Sequence, residues 1–264
     1  MNVMVLAPHQ DDEILGAGGL LQICRERGDY IRVLFATNGD YRGRDVARRR
    51  YHESREALSQ LGIPESEIYY LGYADTGMRP SHSFLLRLLH TPMDQALASP
   101  VSLETYHPVG QRTVRQLRTG KDGPLTKREF LSDLTWCVEK CTPDLLIFPN
   151  PSDAHGDHAA LAKLAEISCS GLDIPRRLSF LIHGGDDNGW PPRAEGPAVC
   201  PPLITADVWK RRISLPLTVE QRAFKRRLIS LFATQHLEDE GGFLDAFARS
   251  EELFFPCPEY YPTR

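Results

Sequence analysis

The chain has 264 residues, 41% of them hydrophobic and 25% charged, a balance that builds an ordinary globular core and suits one large domain or two small ones. A net charge of −4 and a pI near 6.1 argue against a DNA- or RNA-binding surface, which carries a basic excess. No apolar stretch reaches the roughly 18–20 residues of a membrane span, and the opening MNVMVLAP has no basic leader segment, so a cytoplasmic protein is expected.

Asn2–Ala7 is a short apolar run, the pattern of a buried parallel strand. Glu13–Arg27 follows with helical spacing and stops at Gly28. Tyr30–Thr37 (YIRVLFAT) reads as a second strand, Asp45–Leu61 as a charged amphipathic helix ending at Gly62, and Glu67–Leu71 (EIYYL) as a third strand. Residues 76–124 break the pattern, with several Pro, Gly, Ser and His and one helix-like fragment, Phe84–Leu89. A stretch of that length is usually a lid, a binding loop or an insertion. Order returns with a helix over Lys127–Cys141, a strand over Asp144–Phe148 (DLLIF), a helix over His158–Ser168 and a strand over Leu178–His183. Pro191–Pro202 reads as irregular, Leu217–Ala233 as a helix and Gly242–Arg249 as another. Strand–helix alternation predicts an α/β fold: a three-layer αβα sandwich on a mostly parallel, Rossmann-like sheet, one domain over 1–264 with an insertion or lid at about 76–124. The six cysteines form no CxxC pair and read as reduced thiols, Cys137 and Cys141 on one helix face.

Ligands of open parallel sheets bind beyond the carboxyl ends of the strands. There, after the first strand, the chain places Pro-His-Gln-Asp-Asp-Glu (8–13). The Gly16-Ala17-Gly18-Gly19 run suggests a dinucleotide turn. It lies inside the expected helix, however, and the carboxylates would repel a pyrophosphate. Helix capping accounts for one or two acids but not for His9. Imidazole beside carboxylate suits Zn²⁺, Fe²⁺ or Mn²⁺, and a cation would offset the repulsion among the acids. One turn cannot close a metal site. A second cluster, FPNPSDAHGDHAAL, follows the strand at 144–148 and offers His155 and His158 with Asp153 and Asp157 around them.

The pair PHQDDE and HGDH resembles the PIG-L/LmbE-like zinc-dependent N-deacetylases, whose usual forms are AHPDDE and HPDH. RYHESREALSQLG (50–62) and LGYAD (71–75) extend the resemblance over about 2–75 and 125–185. It implies a Zn²⁺ site, or one for Fe²⁺ or another divalent metal, with His9, Asp12 and His158 as ligands. It further implies Asp11 as general base, His155 as oxyanion stabiliser or proton donor to the leaving amine, and Asp157 as the group that orients the histidines. Arg50 fits a substrate-contacting position, and Asp75 a residue binding a sugar hydroxyl; a solvated charge and a turn residue are the plainer readings. The sequence departs from the family at Gln10 and Gly156, where Pro is usual.

Other residues stay open. His183 either faces the site or caps its strand, and Trp190 in the same loop could stack on a sugar ring. Asp40 lines the pocket or makes a turn. Tyr106 and His107 lie in the long insertion and could form a lid. His52, His82, His90 and His236 read as surface or packing residues. RGRDVARRR (42–50) reads as a solvated helix face, with contact to a phosphate or acidic substrate as the second reading. The resemblance implies hydrolysis of an N-acetylated amino sugar or its conjugate, a small-molecule substrate with no nucleic acid partner. The alternatives are an amidase for a larger acyl or thiol-conjugate amide and a non-catalytic sugar- or metal-binding module. A homo-oligomer is left open.

Overall fold

The computed structural model describes residues 1–185, 190–191, 200–237, 239 and 242–257. Four strands and five α-helices occupy the chain up to residue 149. They are β1 (Asn2–Ala7), α1 (Asp12–Glu26), β2 (Tyr30–Thr37), α2 (Arg44–Gln60), β3 (Ile68–Tyr73), then α3 (Phe84–His90) and α4 (Val114–Thr119) within the long segment, α5 (Lys127–Cys141) and β4 (Leu145–Pro149). After them come α6 (Gly156–Ser168), β5 (Arg176–Phe180), α7 (Ala206–Lys210), β6 (Ile213–Pro216), α8 (Val219–Ile229), α9 (Ala233–His236) and β7 (Glu251–Pro256).

The sheet runs β3-β2-β1-β4-β5-β7-β6. β1 to β5 are parallel, whereas β7 joins β5 and β6 in antiparallel sense. The pleat sends alternate residues of β1 to opposite faces. Val3, Val5 and Ala7 join Ile14, Leu21, Leu58 and Leu228 in one core. Met4 and Leu6 join Phe84, Phe130, Leu134 and Leu161 in the other. Both faces are therefore covered by helices, which is why the central strands read as unbroken apolar runs.

The glycines near the start of α1 serve packing. A Cβ on Gly16 would lie 2.5 Å from the Phe180 ring, and one on Gly19 would lie 2.6 Å from the Leu217 side chain. Helix α1 thus sits closer to β5 and to the segment before α8 than any larger residue would allow. Inside this contact Lys225 and Glu252 form a buried ion pair, Nζ to Oε1 2.6 Å. Lys225 Nζ also donates to the Leu15 carbonyl, and Glu252 accepts from the Gly19 and Leu20 amides.

Several boundaries differ from the sequence expectation. Strand β5 begins at Arg176, because Arg177 is buried and its guanidinium donates to the Cys169 and Leu172 carbonyls. Helix α6 starts two residues early, because the His155 side chain caps it by accepting from the Asp157 amide. The helix expected over 217–233 ends at Ile229. That expected at 242–249 is a single 3-10 turn, Asp245–Phe247. The antiparallel β6–β7 pair and α4 were not anticipated; each element is short, and both strands close on a proline. Residues 192–199 of the stretch expected to be irregular lie outside the described residues.

Candidate active site

The order of the sheet reverses between β1 and β4: β2 and β3 build outward on one side and β5 on the other. A crevice opens at such a reversal. The loop after β1 carries His9–Asp12 and the loop after β4 carries Asp153–His158, so the two clusters separated by about half the chain face one another there.

Three donor atoms converge. Asp12 Oδ2 lies 3.2 Å from His9 Nδ1 and 3.3 Å from His158 Nε2. It also accepts the His9 backbone N–H at 3.0 Å. The outward nitrogens are held by other carboxylates: His9 Nε2 by Asp157 Oδ2 at 3.2 Å, and His158 Nδ1 by Asp153 Oδ2 at 3.2 Å. His155 completes a histidine group, its ring 4.8 Å from His9 and 4.7 Å from His158. His9, His155 and His158 present ring nitrogens close enough together to hold one ion. His158 Nε2 is buried and makes no hydrogen bond.

Burial sets the electrostatics. It opposes charge on His9, but the carboxylates of Asp75, Asp12 and Asp157 outweigh it and hold the imidazole up at about 10. His158 is likewise raised, against burial, by Asp12 and Asp153. Burial acts against the charge on Asp12 as well, yet His158 and His9 bring its carboxyl well below the usual range. Asp11 shows the reverse balance. Burial lifts it to about 7, with Arg50 as the main opposing charge. His155 is pushed well below 6.5 by burial and by its histidine neighbours. Its Nδ1 accepts the Asp157 amide proton, so the neutral ring carries its hydrogen on Nε2.

Asp11 is the N-cap residue of α1 with φ 136°, a region that non-glycine residues rarely enter and that costs roughly 1–3 kcal/mol. Two neighbours hold it there. Its N–H donates to Glu13 Oε2 at 2.9 Å, and Arg50 Nη2 lies 3.4 Å from its Oδ1 while donating to the Gln10 carbonyl. Glu13 is itself fixed by the Ser54 hydroxyl.

A cavity of about 710 Å³ opens over these groups. His9, Asp11, Asp12, Arg50, Asp75, His155, His158 and His183 all line it. Asp157 lies beneath, fully buried, with Oδ1 accepting from the Ser83 hydroxyl and the Leu85 amide. It orients His9 through its carboxylate and touches His155 only through its backbone. The Arg50 guanidinium is committed to Asp11 and the Gln10 carbonyl, with Asp75 3.8 Å away. His183 stacks on Phe243 and faces His155 and His158. Trp190 does not reach this cavity. It packs with Leu181, Ile204 and Phe255, its indole N–H donating to the Leu181 carbonyl, and meets Trp209 edge-on. A stacking role on the substrate in this cavity is corrected to a packing role.

Sequence reasoning left Asp153 unassigned, although its place in the same short stretch as His155 and His158 was a signal. It missed Tyr41, Met78, Arg79 and Phe243, which also line the cavity and carry no motif. His82, read as a surface residue, lines it as well. Asp40 makes the turn reading good, accepting from the Asp75 amide and the Tyr106 hydroxyl. Tyr106 and His107 are absent from the cavity lining.

A mostly parallel open sheet with a histidine–carboxylate cluster at its switch point defines an α/β protein whose site has donor groups close enough together for a metal ion, beside a titratable carboxylate. The chain belongs to the PIG-L family, GlcNAc-PI de-N-acetylases, which matches residues 4–168; it is a family of deacetylases. The fold is similar to that of the A40926 pseudoaglycone deacetylase Dbv21, at 16% identity over 97% of this chain and 96% of that one, with a TM-score of 0.60. It is also similar to the N,N'-diacetylchitobiose deacetylase of Pyrococcus horikoshii, at 19% identity over 97% and 83% with a TM-score of 0.52. A third structure, the 4-carboxy-2-hydroxymuconate hydratase GalB of Pseudomonas putida, matches at 14% identity over 94% and 83% with a TM-score of 0.54. These likenesses establish the fold, and the family match the reaction class. No curated protein matches the sequence.

Proposed function

We propose that this chain is a metal-dependent N-deacetylase that hydrolyses the acetamide of an amino sugar or its conjugate to acetate and a free amine. The observation that carries the reading is the convergence of His9 Nδ1, Asp12 Oδ2 and His158 Nε2 with Asp11 beside them in one cavity.

The residues present fit a cation. A tetrahedral ion at 2.0–2.1 Å from its ligands separates them by roughly 3.3–3.4 Å, and the two Asp12–histidine separations are 3.2 and 3.3 Å. A buried ring nitrogen without a hydrogen bond, His158 Nε2, points to the same conclusion. Both histidines also have the carboxylate behind them that ligating imidazoles usually have. We assign His9, Asp12 and His158 as ligands, a set that suits zinc and also Fe²⁺. Bound there, the cation would supply Lewis acidity, making water more acidic and the amide carbonyl more electrophilic.

The chain's own residues do the rest. Asp11, ionised, accepts a proton from the attacking water as its oxygen bonds to the carbonyl carbon. Arg50 aims that carboxylate. His155 donates its Nε2–H to the oxyanion, a contribution typically worth roughly 3–4 kcal/mol. The C–N bond then breaks and the proton held on Asp11 passes to the leaving nitrogen. Asp75, on the cavity floor, accepts a hydrogen bond from a sugar hydroxyl.

The test is acetate release from a panel of N-acetylglucosamine derivatives by protein reconstituted with Zn²⁺ or Fe²⁺. Acetate from any of them supports the reading. Metal uptake with no hydrolysis across the panel, or turnover of longer acyl amides alone, overturns it.

A further inference from the structure

We infer that the strap over Met78–Ser83 is the specificity element of this chain, and that it selects substrates bearing an anionic group, carboxylate or phosphate, remote from the acetamide. The inference rests on the deacetylase reading and adds the substrate class.

The strap is seated on the second histidine motif by a glycine. Gly156 donates its N–H to the Met78 carbonyl at 3.3 Å. A Cβ at 156 would lie 2.5 Å from Ser83 Cβ and 3.3 Å from Pro80 Cα, with Ser83 Oγ at 2.8 Å. These are atoms on or next to the backbone, so the strap would have to move for any other residue to fit. Proline would in addition remove the donor to Met78. The chain's departure from the usual family motif at 156 therefore allows the strap to lie where it does. A second tie holds the strap's end: Ser83 Oγ and the Leu85 amide both donate to Asp157.

Seated this way, the strap brings Met78, Arg79 and His82 to the cavity wall. All three are exposed, as are Tyr41 and Arg42, whereas the residues of the chemistry are buried; the first group forms the mouth and the second the floor. The Arg79 guanidinium makes no hydrogen bond or ion pair among the described residues. Among the described residues the acids of the lining are Asp11, Asp12 and Asp75 on the floor and Asp239, whose two oxygens accept from the Phe243 and Leu244 amides. Over the described residues the mouth is thus cationic above an acidic floor. At about 710 Å³ the cavity falls in the roughly 300–1,000 Å³ range that holds a whole drug-sized ligand. A substrate with its acetamide on the floor reaches the mouth with its far end, where a forked guanidinium matches a carboxylate or phosphate.

The test compares kcat/KM on N-acetylglucosamine 6-phosphate, N-acetylmuramic acid and neutral methyl N-acetylglucosaminide, for the parent, Arg79→Ala and Gly156→Ala. The parent should favour at least one anionic compound. Arg79→Ala should cut that preference by about fivefold, through KM, as expected of a partly solvated charge pair. Gly156→Ala should cut it as well, by displacing the strap. The more favoured anion identifies phosphate or carboxylate as the group read. No preference in the parent, or a preference that survives Arg79→Ala, overturns the inference; one that survives Gly156→Ala alone overturns the seating. If none of the three is hydrolysed, the deacetylase reading is what fails for these sugars. Calorimetric binding of glucosamine 6-phosphate and muramic acid against glucosamine then decides: tighter anion binding lost in Arg79→Ala supports the strap, and equal binding overturns it.

Discussion

Asp157 spans the site from beneath: one carboxylate oxygen lies 3.2 Å from His9 Nε2, and the other takes the Ser83 hydroxyl and the Leu85 amide. The carboxylate fixes the imidazole's orientation and makes Nδ1, rather than Nε2, the nitrogen free to bind. Asp157→Asn should therefore weaken metal affinity by about 10–100-fold, the usual effect of losing the carboxylate behind a ligating histidine. Competition with a chelator dye measures it. Unchanged affinity would show that His9 needs no such support.

Asp11 touches neither His9 nor His158 by a hydrogen bond and is held instead by Glu13 and Arg50. Asp11→Asn should retain bound metal while kcat falls by roughly 10²–10⁴, the range for loss of a general base. Metal content by elemental analysis, set beside acetate release, separates the two effects. His158→Ala should lose the metal itself.

The pH profile follows from the same carboxyl. As the proposed base, Asp11 would act only when ionised, and burial raises it to about 7. Activity should therefore be lost as pH falls through 7, or through a lower value once a cation draws the carboxyl down. The acid limb of kcat/KM should move to higher pH in Arg50→Gln, because the main charge opposing burial is gone. A limb that stays in place would assign it to another group.

Lys225→Met should cost about 3–5 kcal/mol in urea denaturation, because it leaves Glu252 buried without its partner. Lys225→Met with Glu252→Gln should recover part of that loss, since no uncompensated charge remains. The glutamine oxygen would keep one of the Gly19 and Leu20 amides, and its NH2 would face the other, which limits the recovery.

Much of the site could be read from residue order alone, for a physical reason. Parallel strands deliver the residues after them to one edge, so PHQDDE and HGDH were bound to meet once their strands were recognised. Asp11, Asp12 and the three histidines 9, 155 and 158 are brought together in that way. What escaped was tertiary. Arg50 looks like a surface charge in a basic run, and only the fold turns it under Asp11. Trp190 sits near His183 in sequence but faces a different apolar cluster. The antiparallel β6–β7 pair escaped because four- and six-residue strands ending in proline carry little periodicity. Strand β5 slipped by two residues because a buried arginine reads as exposed until its carbonyl partners are seen.

The Lys225–Glu252 grip on α1 has a bearing on how the chain could be divided. The family match ends at residue 168, and every proposed ligand lies before that point. Yet the helix that begins with Asp12 is clasped at Leu15, Gly19 and Leu20 by side chains from α8 and β7. The chemistry is not portable: a fragment cut at 168 would keep every reactive group and lose the hand that holds their helix in place.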